Sequence, residues 1–203
     1  MKKLCKRILI CAIFAACVWT WGIITDRERL NDELLRLHVV ANSDSEEDQA
    51  VKLRVRDAAV ESLREEMAKI TDFELAKAYI QENLPKIQRV ANDCLEALGY
   101  EGNAVATLGK EVFDTRYYDT FTLPAGVYEA LRITIGEGEG KNWWCVVFPT
   151  LCLPATSEGF EDVAAGAGFS DSLTAALEGE RGYKVRFFLL DLLGKWQGKR
   201  FKG

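Results

Sequence analysis

The sequence predicts an α+β fold: an N-terminal strand and three helices, then a mostly antiparallel sheet with room to become mixed, then an amphipathic C-terminal helix. Three observations predict it. Residues 34–40 alternate apolar and polar side chains with period two. From 46 to 98 apolar residues recur every three or four positions behind helix-capping signals. Between 105 and 148 lie runs rich in β-branched and aromatic residues, divided by turn formers.

The chain has 203 residues, 26 basic and 31 acidic, a net charge of −5, and 48% hydrophobic residues. That length suits one domain with an appendage, and the composition excludes a disordered chain. Six Cys are too sparse for a small disulfide scaffold. The acidic balance argues against nucleic acid as a partner, because phosphate-backbone binding runs on Lys and Arg.

The appendage comes first. Lys2, Lys3, Lys6 and Arg7 precede an uncharged run from Ile8 to Ile24, and the next charge is Asp26. A basic start followed by an apolar stretch is read by the translocon as an export signal. The run of 17 residues exceeds a usual signal core of about 7–15 and meets the lower limit of about 17–25 for a spanning helix. Trp19, Trp21, Ile23 and Ile24 fill the zone where a small-x-small cleavage site would lie. An uncleaved signal-anchor through residues 8–24 is favoured slightly over a cleaved signal peptide, with segment 1–25 as the unit. A lipid on Cys17 is the weakest reading, because strongly apolar residues follow it. Without residues 1–25 the balance is 22 basic against 31 acidic, and Cys94, Cys145 and Cys152 remain.

Residues 26–156 form the main domain. Leu35, Leu37 and Val39 alternate with Arg36 and His38, a half-buried strand that places His38 on the surface or under a helix. Ser45 with Asp48 three residues on fits a capping box, with Ser43 as the alternative cap. The helix that follows reaches about Met67, with Val51, Val55, Ala59, Leu63 and Met67 as its buried stripe. Asp48 and Lys52 stand one turn apart, a pairing that contributes only about 0.2–0.5 kcal/mol. Thr71 to Glu74 caps a second helix through Asn83. Pro85 opens a third, with Ile87, Val90, Cys94 and Leu98 on its buried face and Gly99 as its stop. Strands are expected at Val105–Phe113, Arg116–Thr122, Val127–Ile135 and Trp143–Phe148, the last two joined by a hairpin-like loop, Gly136 to Asn142. Residues 157–180 carry six acidic and no basic residues and read as a loop or insert with a short helix at Leu173–Leu177. Residues 181–203 carry seven basic residues and one acidic, and Val185, Phe188, Leu189, Leu192 and Trp196 form the stripe of a docking helix with a basic tail.

No catalytic set assembles from these residues. His38 is the only histidine, which leaves no His-rich zinc site, and no Cys-x-x-Cys replaces it. A nucleophile would need Cys145 or Cys152 beside His38, without any local signature of a thiol hydrolase. Cys145 and Cys152 have two open states: a disulfide, for which Pro149 would fold the segment back, or two buried thiols. Gly136-x-Gly138-x-Gly140-Lys141 matches no phosphate-loop spacing, and its two Glu would repel phosphate. Trp143 and Trp144 put one indole on each face of a sheet, one for the core and one available to a partner. No cofactor is expected.

Three stretches carry a resemblance: Arg36 to Gln49 (RLHVVANSDSEEDQ), Pro124 to Ile135 (PAGVYEALRITI) and Gly136 to Pro149 (GEGEGKNWWCVVFP). Together they resemble the stage II sporulation protein R family of endospore-forming bacteria, over about Leu34 to Leu153. The resemblance implies a non-enzymatic signalling protein made in the forespore and exported into the space between the two septal membranes. Its implied partner is a membrane-embedded aspartic protease of the mother cell, which removes the pro-sequence of sigma-E. The contact surface expected on that reading takes in Asn42, Asp44 and Asp48 with Asn142, Trp143 and Trp144. Two rivals from other classes are an exported thiol hydrolase using Cys145 and His38, and a plain structural protein of the envelope.

Overall fold

The computed structural model describes residues 2–118, 121–148, 169, 171–179 and 184–202. In chain order these are α1 (Lys2–Asp32), β1 (Leu35–Val40), α2 (Glu46–Met67), α3 (Phe73–Ala97), β2 (Ala104–Phe113), β3 (Arg116–Tyr117), β4 (Thr122–Leu123), β5 (Gly126–Ile135), β6 (Asn142–Phe148), α4 (Asp171–Leu177) and α5 (Lys184–Lys202). The fold is α+β around a four-stranded sheet of order β2-β5-β1-β6.

The sheet is mixed because β1 inserts between later strands. It runs parallel to β5, Leu37 opposite Leu131, and antiparallel to β6, Leu37 opposite Cys145. β2 closes the other side antiparallel to β5. A parallel neighbour requires a long crossover, and α2, α3 and β2 supply it. One face of the sheet (Leu37, Val39, Leu131, Ile133, Cys145 and Val147) packs on the buried stripes of α2 and α3. The other face (Phe113, Tyr128, Ala130 and Val146) packs on Ile23 and Leu30 of α1, Leu173 and Leu177 of α4, and Leu190 of α5. At about 1.5–3 kcal/mol for each large apolar side chain buried, these two layers are the main source of stability.

Central placement of β1 changes the reading of its polar residues. All six of its residues are buried, so the alternation at 34–40 marks two different cores rather than a core and a solvated face. Arg36 and His38 point into the second layer.

Several local expectations are corrected. Phe73–Ala97 is one helix containing Pro85, not two. Asp72, not Thr71, is its N-cap, accepting from the Leu75 amide at 2.9 Å. Because the register does not restart at Pro85, the buried stripe is Ala76, Ile80, Ile87, Ala91 and Leu95, and it leaves Cys94 only partly buried and Leu98 exposed. The helix does end at Gly99, whose φ of +67° suits a residue without a Cβ. Residues 116–122 are not one strand: β3 and β4 form a separate two-stranded ribbon, closed by Tyr118 N–H donating to the Phe121 carbonyl at 2.9 Å. β5 and β6 are not a hairpin, since β1 lies between them and the 136–141 loop passes over its end.

The stripe on α5 faces the wrong way for docking on this domain. Val185, Phe188, Leu192 and Trp196 are exposed, and the buried face is Leu190, Gly194 and Gly198. Glycine at 194 and 198 is what lets the helix approach: a Cβ at Gly194 would fall inside the Ala125 carbonyl oxygen, and one at Gly198 would lie 2.8 Å from Val112 Cγ1. The short helix expected at Leu173–Leu177 is present within α4, whereas the remainder of the acidic 157–180 stretch, apart from 169 and 171–179, lies outside the described residues.

α1 joins the apolar run to the domain without a linker. Its last third is built into the fold, with Ile23, Asp26, Arg27 and Leu30 buried. Arg27 donates to the Ala125 and Leu190 carbonyls at 3.2 Å each and to Gln197 Oε1 at 2.6 Å. Asp26 pairs with Arg186 of α5. By length and composition α1 can cross a membrane.

Candidate partner-binding surface

The loops that follow β1 and β5 meet at one end of the sheet, and their residues are joined by hydrogen bonds. Ser45, in extended conformation, caps α2 by accepting from the Asp48 amide at 3.1 Å. Asp48 is buried in the first turn, where the helix dipole favours a carboxylate. It accepts from Ser43 Oγ, from Asn42 Nδ2 at 3.1 Å and from the Tyr100 hydroxyl at 2.5 Å. The Ser43 and Tyr100 hydrogen bonds hold its carboxyl down at about 2. Burial, followed by the bond to Asp48, pushes the Tyr100 phenol up to about 12. The expected Asp48–Lys52 pair does not form. Lys52 is buried and reaches Gln49 Oε1 and, at 3.0 Å, the Lys141 carbonyl, while burial lowers its pKa.

The second loop is threaded into the first. Amides of Glu139 and Gly140 donate to the carbonyls of Asn42 (3.0 Å) and Ala41 (2.9 Å). Asn42 Oδ1 accepts from the Glu137 amide at 3.0 Å, and Asp44 Oδ1 accepts from the Lys141 amide at 2.7 Å. Gly136 and Gly138 have φ of +55° and +68°, and a Cβ at Gly140 would fall against the Ser43 carbonyl. The glycine spacing of this loop is therefore a backbone requirement. Sequence reasoning reads both loops as contact motifs; the capping-type residues at 43, 45 and 48 signal the bonds inside the first loop, and no local pattern signals those between the two.

The six residues expected at the surface divide into two sets. Asn42 and Asp48 are engaged inside the loop pair. Trp144 is half-buried, stacked on His38 at 3.9 Å between ring centroids, with the Arg116 guanidinium 4.6 Å from its own. Asp44, Asn142 and Trp143 face outward. Trp143 is 38% exposed and carries the Arg56 guanidinium 4.2 Å above its ring. β6 is an edge strand of the sheet, so Asn142 and Trp143 stand at a rim formed with Lys141, Arg56 and Asp44.

On the opposite face of the sheet from Trp143 lies a polar cluster that the sequence did not disclose. Arg36 is 0% exposed, donates to the Tyr118 hydroxyl at 2.8 Å and lies 4.1 Å over the Phe113 ring. His38 Nδ1 is 2.6 Å from Glu111 Oε2, and Arg132 reaches the other Glu111 oxygen at 3.4 Å. Burial pulls the Glu111 carboxyl upward, but the bond and charge of His38 together with Arg132 outweigh it and leave the pKa lowered.

The Cys145–His38 pair of the hydrolase reading is not assembled. On β1 and β6 the two side chains point to opposite faces: Cys145 lies opposite Leu37 in the core under α2 and α3, while His38 lies opposite Trp144 in the other layer. Cys145 is disulfide-bonded, and Cys152, its suggested partner, lies outside the described residues. Among the described residues no three His, Cys, Asp or Glu side chains converge as metal ligands.

Comparison with known proteins bears on the same region. The family described as stage II sporulation protein R matches residues 31–158, from the end of α1 through β6 and beyond. Stage II sporulation protein R of Bacillus subtilis (strain 168) is 35% identical over 179 residues, which cover 79% of this chain and 80% of that protein. No solved structure matches the chain.

Proposed function

The chain belongs to the stage II sporulation protein R family, and from that premise we propose that it is an exported signalling protein of endospore formation that activates a membrane-embedded aspartic protease processing pro-sigma-E. In this reading it is made in the forespore and acts by binding, without catalysis of its own. Residues 8–24 lead it into the membrane, as a retained anchor or as a signal. Its target is the mother-cell protease on the far side of the intermembrane space.

The observation that carries the reading is the family match together with the apolar helix directly ahead of it. The contact surface is the outward rim of the paired loops: Asp44, Asn142 and Trp143, with Arg56 beside them. An exposed indole at an edge strand with a charged surround is the composition of an interface hot spot and its rim. Asn42, Asp48 and Trp144 act indirectly by fixing that rim. The test is co-expression in a non-sporulating bacterial host with the cognate protease and pro-sigma-E, read by immunoblot for the shortened factor. Shortening only when this chain is present and exported is the expected result. Its absence despite stable, exported protein would overturn the reading.

A further inference from the structure

We propose that the outer face of α5 lies on the surface of the lipid bilayer entered by the apolar run of α1, held there by an apolar stripe and by cations facing anionic headgroups. The inference rests on the reading that residues 8–24 enter the membrane, and it extends that reading to the other end of the chain.

α5 carries apolar residues on two opposite sides. At about 100° per residue, Leu190, Gly194 and Gly198 form the side buried on β2 and β5. Val185, Phe188, Leu192 and Trp196 recur on the opposite side, and Phe188 and Trp196 are each 62% exposed. Lys184, Lys195 and Lys202 flank that stripe on one side and Arg200 on the other. The single acid of the helix, Asp191, is turned inward, accepting from the Ala125 amide, Thr115 and Lys195. Large apolar side chains between basic flanks are what an interfacial helix presents to headgroups and the upper acyl chains, and long cationic stems extend alongside such a surface to keep their charge in the headgroup layer.

Two observations point to a bilayer as the occupant. The first is continuity. The apolar run ends at Ile24, and Ile24 shares a groove with Leu193, Trp196 and Arg200 of α5. Arg186 binds Asp26, and its guanidinium comes within 3.8 Å of a Cβ placed on Gly22. The helix is thus fastened to α1 where a membrane-inserted run would emerge, and Trp196, beside Ile24 at that point, is of the residue type that collects at membrane interfaces. The second is charge. Outside residues 1–25 the chain has more acids than bases, yet residues 181–203 hold seven basic residues against one acidic, the sign that anionic lipid attracts.

The experiment uses the full chain in vesicles containing phosphatidylglycerol, with Cys5, Cys11 and Cys94 replaced by Ser. One protein keeps Cys17 as the attachment point for an environment-sensitive fluorophore and reports on the run. A second carries Cys17→Ser with Leu192→Cys and reports on the α5 face. A third carries Cys17→Ser with Leu75→Cys, on exposed α3 across the sheet, as a control. Brominated acyl chains should quench the labels at 17 and 192 by roughly twofold or more and leave the label at 75 unaffected. Quenching at 17 with an aqueous label at 192 overturns the inference and leaves the face to a protein or a second copy. No quenching at either site overturns both readings. Quenching at 192 alone upholds the face and removes the inserted run. Lys199→Glu with Arg200→Glu should weaken quenching at 192 in phosphatidylglycerol vesicles but not in phosphatidylcholine vesicles; no change in either would overturn the role of anionic headgroups.

Discussion

The Tyr100 hydroxyl donates to the buried Asp48 carboxylate at 2.5 Å, tying the chain just past α3 to the first turn of α2. The same carboxylate holds Ser43 and Asn42, so one acid fixes a helix start, a strand exit and a helix exit.

This arrangement sets an acid limit on stability. A carboxylate held at about 2, against about 3.9 when unfolded, contributes stability that is complete above the unfolded value and is lost as pH falls toward 2. Asp48→Asn should therefore destabilise most near neutrality, by about 2–3 kcal/mol through unmet donors and a weaker cap, and progressively less below pH of about 4. Urea unfolding midpoints of both proteins across that range check it. A penalty that is constant with pH would show that the charge of Asp48 is not what the site uses.

Glycines offer a sharper contrast, because their surroundings differ. A Cβ at Gly140 meets the Ser43 carbonyl and one at Gly194 meets the Ala125 carbonyl, both backbone atoms that cannot swing aside. Gly140→Ala and Gly194→Ala should each cost about 2 kcal/mol or more, as overpacking does. Gly109 has nothing within 4 Å of its Cβ, and Gly109→Ala should be neutral or stabilising, up to about 1 kcal/mol. Thermal unfolding of the three variants decides the matter.

Much of this fold was legible in the sequence, for a physical reason. α2 declares itself through the period of its one buried stripe, and β2, β5 and β6 through β-branched and aromatic runs between turn formers. β1 declares itself as a strand through its alternation but not its central place: that pattern is the same whether its second face meets water or another core, and only its pairing with both β5 and β6 buries Arg36 and His38. Pro85 misled in the same local way. It removes one amide from a helix of 25 residues, a loss that packing of Ile80 and Ile87 on either side overcomes. Of the expected surface, the sequence placed the two indoles on opposite faces but not which of them faces outward; the register of β6 makes it Trp143. The inward role of Asn42 depends on a loop 95 residues away and that of Asp48 on Tyr100, 52 residues on, which no local pattern encodes.

The polar cluster in the second layer should behave as a coupled unit. His38 and Glu111 are 2.6 Å apart in a largely buried setting, where a charge-assisted bond exceeds a neutral one. A double-mutant cycle of His38→Ala and Glu111→Ala on unfolding free energy should give a coupling of about 1 kcal/mol or more. The corresponding cycle of His38→Ala and Cys145→Ser should give about 0.5 kcal/mol or less, because those side chains occupy different layers. A large second coupling would contradict the separation of the two cores.

The attachment of α5 to α1 rests on Asp26 and Arg186, whose side chains are 9% and 13% exposed. Removing one member leaves a charge in a site with little water, at a cost on the order of 3 kcal/mol. Asp26→Ala should accordingly raise amide exchange throughout α5 while leaving α2 and α3, on the other side of the sheet, unchanged. Equal protection loss in all three helices would mean that the second layer does not open separately.

The contact surface can be tested apart from stability because its outward members carry little of the fold. Trp143 is 38% exposed, and Asp44 spends one oxygen on the Lys141 amide at the rim. Trp143→Ala removes an indole and the seat of Arg56, at a stability cost of about 1 kcal/mol from the exposed cation–π contact. If the rim meets the protease, that truncation should cost binding about 2 kcal/mol or more, as central aromatic residues of interfaces do, and sigma-E shortening should fall by roughly tenfold or more. Trp144→Ala should instead lower stability first, since its ring packs on His38 and Phe113. Unfolding midpoints and immunoblots of the two variants, measured side by side, separate a binding residue from one that positions it. Full processing by stable Trp143→Ala protein would move the contact away from this end of the sheet.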